Sequence, residues 1–167
     1  GFKKSDVAPW YYEQQTLGFN YRLTEIQAAL GLSQLNKLQE FRTRRSEIAH
    51  FYDSELNHLP ISLVQETPNY RKRSGHHLYI IRVDWDSIGL SMSNVMRALQ
   101  QRKIGSQVHY IPIHQQPFHA SNFSDKIKGF PNAEKYYSEC LSIPFFPEMT
   151  QEDAQRVVGA LKDILGS

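Results

Sequence analysis

Three hydrogen-bonding side chains stand in a row near the start of the chain. Asn20, Tyr21 and Arg22 lie directly before a run of apolar residues with helical spacing. An arginine binds phosphate or carboxylate through two parallel hydrogen bonds, and an asparagine amide can donate to a phosphate oxygen. The row could therefore hold an anionic ligand. In the structural alternative Arg22 pairs with Glu25 one turn on, and Asn20 satisfies local backbone groups.

A second row of polar and aromatic residues, QVHYIPIHQQPF, occupies residues 107–118. It places His109, Tyr110 and His114 at the end of a predicted strand and in the loop beyond, where ligand-binding groups are common. A metal site is disfavoured, because only two histidines are close in sequence and no carboxylate or cysteine accompanies them. In the structural alternative Tyr110 fills the core and both histidines are surface residues.

Three other features are better explained by structure than by chemistry. His76 and His77 open a predicted strand, so alternation turns one of them inward and the other outward. The basic segment 71–73 is predicted to be a solvated loop, because a nucleic-acid site would need more charge and interleaved aromatic residues. Cys140 is predicted to be an inert, buried thiol at the end of a helix.

Composition bounds the class of protein. The chain has 167 residues, a net charge of +2, 22% charged residues and 40% hydrophobic residues, which is ordinary for a globular domain and gives no reason to expect nucleic acid as a partner. Its apolar runs are too short to span a membrane, and its first residues lack the apolar core of a secretory signal. A single cysteine forbids an internal disulfide and favours a cytoplasmic location.

The predicted elements favour an antiparallel α+β sandwich over a doubly wound parallel sheet, because two strands follow one another before a helix. A capping-box spacing at Thr24 predicts a long helix to about residue 56, with a bend or break and with Gly31 packed closely against another backbone. Residues 1–17 are predicted to be irregular. The other predicted elements are strands at 61–64, 76–85 (the central one), 106–112 and 141–149, a loop at 112–130, and helices at about 91–103, 132–140 and from the capping residue Thr150 onward.

Four stretches of the chain, taken together, carry a resemblance to a known family. They are GFNYRLTEIQAALGLSQLNKL, HHLYIIRVDW, IGSQVHYIPIHQQPF and NAEKYYSECLSIPFFPEMT, and they occur in this order between about Trp10 and Leu165. They resemble the C-terminal half of the DegT/DnrJ/EryC1/StrS family of sugar-nucleotide aminotransferases, which use pyridoxal 5'-phosphate (PLP). The resemblance implies the small α+β domain of an aspartate-aminotransferase-like (fold type I) protein, with a mainly antiparallel sheet and helices on one face.

The resemblance also implies how the chain is divided and what the whole enzyme does. Residues 1–23 would be a remnant of the large PLP-binding domain, 24–58 a long connecting helix, and 59–167 the small domain. The full-length enzyme would be a cytoplasmic homodimer that transfers an amino group from glutamate to a UDP-4-keto-6-deoxy-HexNAc sugar nucleotide. The stretch PWYYEQQTLGFNYRLTEIQAALGLSQL favours the branch of the family that acts in pseudaminic acid biosynthesis.

Site residues follow from the same resemblance. Asn20 would reach the PLP phosphate of the partner subunit, and Arg22 would lie at the same shared site. Substrate contacts would come from the small domain, through His109, Tyr110, His114 and Phe118.

No catalytic residue is expected in this chain, because the Schiff-base lysine of the family would lie upstream of residue 1. The chain alone would then hold no PLP covalently and would be inactive. The alternative to the enzyme is a stand-alone, non-catalytic α+β module for binding or oligomerisation. Neither interpretation includes a metal ligand, a nucleic-acid site or a membrane segment.

Overall fold

The structure is a computed structural model that describes residues 2–4, 12–14, 16–19, 21–63, 74–123 and 129–166. Contacts between residues divide the chain after Lys37 into two compact units, Gly1–Lys37 and Leu38–Ser167. The division into 1–23, 24–58 and 59–167 inferred from the family resemblance stays a prediction. The predicted cofactor residue Asn20 lies outside the described residues.

The first unit holds a two-stranded ribbon and one helix. Strands β1 (Phe2–Lys4) and β2 (Tyr12–Gln14) pair antiparallel, where the sequence predicted irregular structure. Helix α1 spans Glu25–Leu35 and begins at the predicted capping box. The Thr24 hydroxyl accepts a hydrogen bond from the Gln27 amide at 3.3 Å, and the Gln27 side chain accepts one from the Thr24 amide at 3.0 Å. The two bonds satisfy backbone donors that a helix start leaves unpaired.

Helix α1 presents its apolar side chains to solvent. It has no buried residue, and Ile26 and Leu30 are 84% and 62% exposed. A contiguous apolar surface of this kind is typical of an interaction site. Gly31 lies within the helix, and a Cβ added there would meet no atom within 4 Å, so the predicted close approach of another backbone is not seen.

The long predicted helix is interrupted by a turn at Asn36 and Lys37, after which helix α2 spans Leu38–Leu56. A bend or break was predicted, and the structure locates it more than one turn beyond the glycine at which the apolar spacing changes. Neither Asn36 nor Lys37 prevents helix formation, so propensity gives no signal at this point. From α2 onward the side chains begin to be buried.

The second unit is built on a three-stranded antiparallel sheet. Strands β3 (Ser62–Leu63), β4 (Tyr79–Arg82) and β5 (Cys140–Ile143) lie in the order β3-β4-β5, so the predicted central strand is central. The observed β4 is shorter than the predicted 76–85. The register pairs Tyr79 with Ile143 and Ile81 with Leu141, and Ile80 with Ser142 and Arg82 with Cys140. Because side chains alternate along a strand, the first two pairs share one face of the sheet and the last two share the other.

Three helices share the main core with the sheet: α2, α3 (Met92–Gln101) and α6 (Gln151–Leu165). Ser91 caps α3, and Thr150 with Asp153 forms the predicted capping box of α6. The largest side chains of this core that are almost fully buried are Tyr52, Leu56, Ile81, Leu99, Leu141, Met149 and Leu161. The α+β class with an antiparallel sheet is therefore confirmed.

Two predictions for the region between α3 and β5 are wrong. Residues 106–112 form no strand; Gln107 alone pairs with Ser142 as an isolated bridge. Pro112 lacks the amide hydrogen that a longer ladder would need. The predicted loop 112–130 contains a 3₁₀ turn at Ile113–Gln115 and helix α4 at Pro117–Phe123, because a proline is well tolerated in the first turn of a helix. Helix α5 follows at Pro131–Glu139, close to its predicted range.

Candidate functional site

His109 is attached to strand β5 on the face of the sheet that carries Ser142. Its Nδ1 lies 2.7 Å from the Ser142 hydroxyl oxygen. Two residues earlier, the backbone of Gln107 both donates to and accepts from the backbone of Ser142, at 3.1 and 2.8 Å. These bonds place a half-buried imidazole on a strand that is buried at every position.

Cys140 lies on the same face and is fully buried at the end of a helix, as predicted; it caps α5 and also opens β5. Burial raises the pKa of its thiol, and the backbone of His109 acts in the opposite direction because it can hydrogen-bond the sulfur. A buried thiol with a raised pKa is a poor nucleophile, so the structure gives Cys140 a packing role.

Tyr110 and Phe118 present their rings to solvent. Their exposed fractions are 73% and 68%, so the interpretation that Tyr110 fills the core is wrong. The Tyr110 ring meets the His109 ring edge to face, with centroids 4.6 Å apart. Exposed aromatic rings beside a polar side chain are suited to stacking on a base or on the apolar face of a sugar.

His114 lies in the 3₁₀ turn and is bound to helix α5. Its Nε2 is 2.9 Å from a carboxylate oxygen of Glu134, and its ring centroid is 4.9 Å from that of Phe130. The same Glu134 oxygen accepts the backbone amide of Phe130 at 3.2 Å. His114 is therefore held by the protein itself, and its Nε2 is engaged.

The structure brings together some of the predicted site residues. His109 and Tyr110 are in contact, whereas no hydrogen bond or ring contact in the described part of the chain joins them to His114 or Phe118. All four belong to the second unit, between β4 and β5 along the chain.

Arg22 belongs to the first unit and is exposed. The alternative in which it pairs with Glu25 is not observed, because no ion pair joins the two residues. The neighbouring Phe19 and Tyr21 rings stack at 5.1 Å and are themselves exposed. The guanidinium group is available to an anion from outside this unit.

Two classes of site find no support in the described residues. No group of three or more histidine, cysteine, aspartate or glutamate side chains among them could hold a metal ion. None of the helices in the same ranges is both long and apolar enough to cross a membrane.

Comparison with known proteins assigns the class to which this fold and these residues belong. The profile of the DegT/DnrJ/EryC1/StrS aminotransferase family matches residues 1–162. The chain belongs to this family.

Individual relatives agree with the assignment. The spore coat polysaccharide biosynthesis protein SpsC of Bacillus subtilis is 37% identical over 96% of this chain and 41% of its own length. Among solved structures, Helicobacter pylori PseC, an aminotransferase involved in the biosynthesis of pseudoaminic acid, matches with 30% identity and a TM-score of 0.76 over 99% of this chain and 43% of its own. DesV of S. venezuelae, solved in complex with a ketimine intermediate, matches with 30% identity and a TM-score of 0.77 over 92% and 39%. The chain thus spans about two fifths of the length of these relatives.

Sequence reasoning missed the side chains that hold the two histidines. Ser142 is 33 residues from His109, and Glu134 is 20 residues from His114. The one local signal is a serine between Leu141 and Ile143 in a strand that is otherwise apolar. A polar residue at such a position needs a partner, but the sequence does not say which.

Proposed function

We propose that this chain is the small domain and connecting helix of a PLP-dependent sugar-nucleotide aminotransferase. The full-length homodimer moves an amino group from glutamate to a UDP-4-keto-6-deoxy-HexNAc. The family match over residues 1–162 is the observation that carries this proposal. A role in pseudaminic acid biosynthesis is supported by the similarity to PseC. A cytoplasmic location remains a prediction from the single cysteine.

The described residues are suited to form one edge of a PLP site, where they would bind the phosphate group. Arg22 is an exposed cation to which no carboxylate among the described residues is bound, which suits a phosphate group. When bound, PLP supplies the electron sink and carries the amino group between donor and acceptor. In this proposal Arg22 and Asn20 bind the phosphate of the partner subunit's cofactor, and the covalent lysine comes from a large domain outside the chain.

The second unit would supply contacts to the sugar nucleotide. Tyr110 and Phe118 offer exposed rings for stacking, and His109 offers a ring nitrogen beside Tyr110. The direct substrate contact of His114 stays a prediction, and its Nε2 is bound to Glu134. We assign it to holding the segment between the 3₁₀ turn and α5, with its remaining ring edge toward the substrate.

A non-catalytic module for oligomerisation is the second candidate, and the exposed apolar side chains of α1 favour it. The two candidates differ in their requirement for a cofactor. A module of this kind would associate equally well with and without PLP, and no sugar nucleotide would change its state.

A mixture of two defective full-length subunits tests the proposed function and the contact across the dimer. One subunit carries Asn20→Ala and the other lacks the Schiff-base lysine. If Asn20 acts on the partner's cofactor, a mixed dimer combines both defects in one site and leaves the other intact. We therefore expect activity to return to about a quarter of the wild-type level when subunits exchange at random, because half of the dimers are mixed and each has one intact site.

Activity is measured as formation of 2-oxoglutarate from glutamate in the presence of the UDP-4-keto sugar. Asn20→Ala alone should weaken PLP retention by about 1–3 kcal/mol, the cost of leaving a phosphate oxygen without its donor. The matched control mixes subunits that carry both changes on the same chain with wild type. Dimers shown to have exchanged subunits but still inactive would contradict the assignment of Asn20 to the neighbouring site.

A further inference from the structure

Ser142 is the one polar residue that is buried among the described residues of this chain, with 5% of its surface exposed. It lies in the middle of β5, opposite Ile80 of the central strand. Burying a hydroxyl group away from water destabilises the folded state unless the hydroxyl donates a hydrogen bond. The partner that receives the Ser142 proton is therefore fixed by which acceptors lie within reach.

Among the described residues, the Ser142 hydroxyl has one hydrogen-bond partner that can accept its proton. It is Nδ1 of His109, at 2.7 Å. The Ser142 backbone is already paired, its amide with the Gln107 carbonyl and its carbonyl with the Gln107 amide. If Nδ1 carried the proton, it would donate to the serine, and the buried hydroxyl hydrogen would have no acceptor in these ranges.

We infer that Ser142 is a positioning residue that holds neutral His109 in the tautomer protonated at Nε2, and that this N–H donates to a phosphate oxygen of the sugar nucleotide. The ligand in this inference rests on the proposed function; the tautomer does not. A neutral imidazole has one donor and one acceptor, so a serine that donates to Nδ1 leaves the donor on Nε2.

Two further contacts restrict the orientation of the His109 ring and so of its Nε2–H donor. The Tyr110 ring lies edge to face against the imidazole at a centroid distance of 4.6 Å, with an angle of 89° between the planes. The backbone of His109 lies against the buried Cys140 sulfur. A donor whose ring is fixed by its own strand partner loses little rotational freedom when a ligand binds. His109 Nε2 itself has no hydrogen-bond partner among the described residues.

The tautomer can be read directly by ¹⁵N nuclear magnetic resonance of the 167-residue chain, without any ligand. The His109 signals are assigned from their loss in His109→Gln. We expect long-range couplings that show the proton on Nε2 in the wild type and in Ser142→Thr, which keeps a hydroxyl. Ser142→Ala should give a mixture of both tautomers. Ser62→Ala is the matched control, because Ser62 lies in the same sheet and is exposed.

A proton on Nδ1 in the wild type, or an unchanged Nε2 tautomer in Ser142→Ala, would overturn the assignment of Ser142. Either result would leave the aminotransferase proposal untouched. Failure of Ser142→Ala to fold would be detected by circular dichroism. The comparison of Ser142→Cys, a weak donor of similar size, with Ser142→Thr then tests the same point.

The role toward the ligand is tested in the full-length enzyme. Ser142→Ala should raise KM for the UDP-4-keto sugar about three- to tenfold, the range expected when one hydrogen bond to the ligand is weakened, and should leave kcat within about twofold. His109→Gln, whose amide can donate near the Nε2 position, should retain more affinity than His109→Asn. Equal losses in both His109 variants, or a fall in kcat alone after Ser142→Ala, would exclude the phosphate contact. Absence of transfer by the wild type would instead refute the proposed function.

Discussion

No amino transfer is expected from the purified 167-residue chain supplied with PLP, glutamate and a UDP-4-keto-6-deoxy sugar. Covalent catalysis with PLP needs a lysine held in a desolvated pocket beside the cofactor. Every lysine whose side chain the structure describes is exposed or bound to a carboxylate. Lys37 and Lys103 are exposed, Lys135 lies 3.8 Å from Glu139, and Lys162 lies 2.7 Å from Glu55.

The measurement has a chemical and a kinetic part. Formation of 2-oxoglutarate reports turnover, and reduction with borohydride followed by mass spectrometry reports any lysine bound to PLP. The matched control is the full-length gene product under the same conditions, which should turn over and carry PLP on one lysine. Turnover by the 167-residue chain, or stoichiometric labelling of one of its lysines, would show that the anchor lies within this chain.

The largest loss of stability is expected from Tyr52→Ala, at about 3–5 kcal/mol in the free energy of unfolding. Tyr52 is fully buried in α2, its hydroxyl donates to the Pro144 carbonyl at 2.9 Å, and its ring centroid lies 4.9 Å from that of Tyr79. The residue therefore joins the first core helix to β4 and to the end of β5. Urea unfolding followed by circular dichroism measures the change.

Two variants separate the contributions at Tyr52. Phe51→Ala removes a half-buried ring from the same helix and should cost clearly less. Tyr52→Phe keeps the ring and should cost about 0.5–1.5 kcal/mol through the lost hydrogen bond. A Tyr52→Ala variant no less stable than Phe51→Ala would show that this contact is not central to the core.

The contribution of Tyr52 to the free energy of unfolding should decrease at high pH. Burial, and to a smaller extent the nearby charge of Asp153, raises the pKa of the Tyr52 hydroxyl far above its ordinary value. The folded protein thus holds the proton more tightly than the unfolded chain. The resulting stabilisation is complete below about pH 10, the ordinary tyrosine pKa, and is lost as the pH rises above it.

Local spacing was sufficient to predict where α1 and α6 begin. Thr24 with Gln27 and Thr150 with Asp153 form the predicted capping boxes, because such a box depends only on residues three positions apart. The central strand was predictable for a similar reason, since β-branched and aromatic residues are concentrated around Ile80.

The sequence was misleading at prolines, because a proline can lie in a loop or at the first position of a helix. Pro112 and Pro117 were interpreted as loop residues, but Pro117 is the first residue of a helix. The turn at Asn36 and Lys37 carries no proline or glycine and so gave no local signal. Both differences arise where local propensity leaves the competing conformations nearly equal in free energy.

The candidate site was predicted by residue type and order, but its geometry was not. The sequence identified His109 and His114 as a pair, whereas the structure gives them different partners, Ser142 and Glu134. Exposure also rules out the alternative in which Tyr110 fills the core, because Tyr110 is on the surface. These features depend on which distant segments meet, and a single sequence does not encode that in any local pattern.

The position of Cys140 makes its thiol a natural probe of how often the protein around it opens. It is the only cysteine in the sequence, it is fully buried, and the backbone of His109 lies against its sulfur. A thiol reagent can reach it only when the segments around it, which include His109 and Tyr137, open locally or the whole protein unfolds. Labelling faster than global unfolding would therefore measure the rate of local opening around Cys140, with no probe added to the protein.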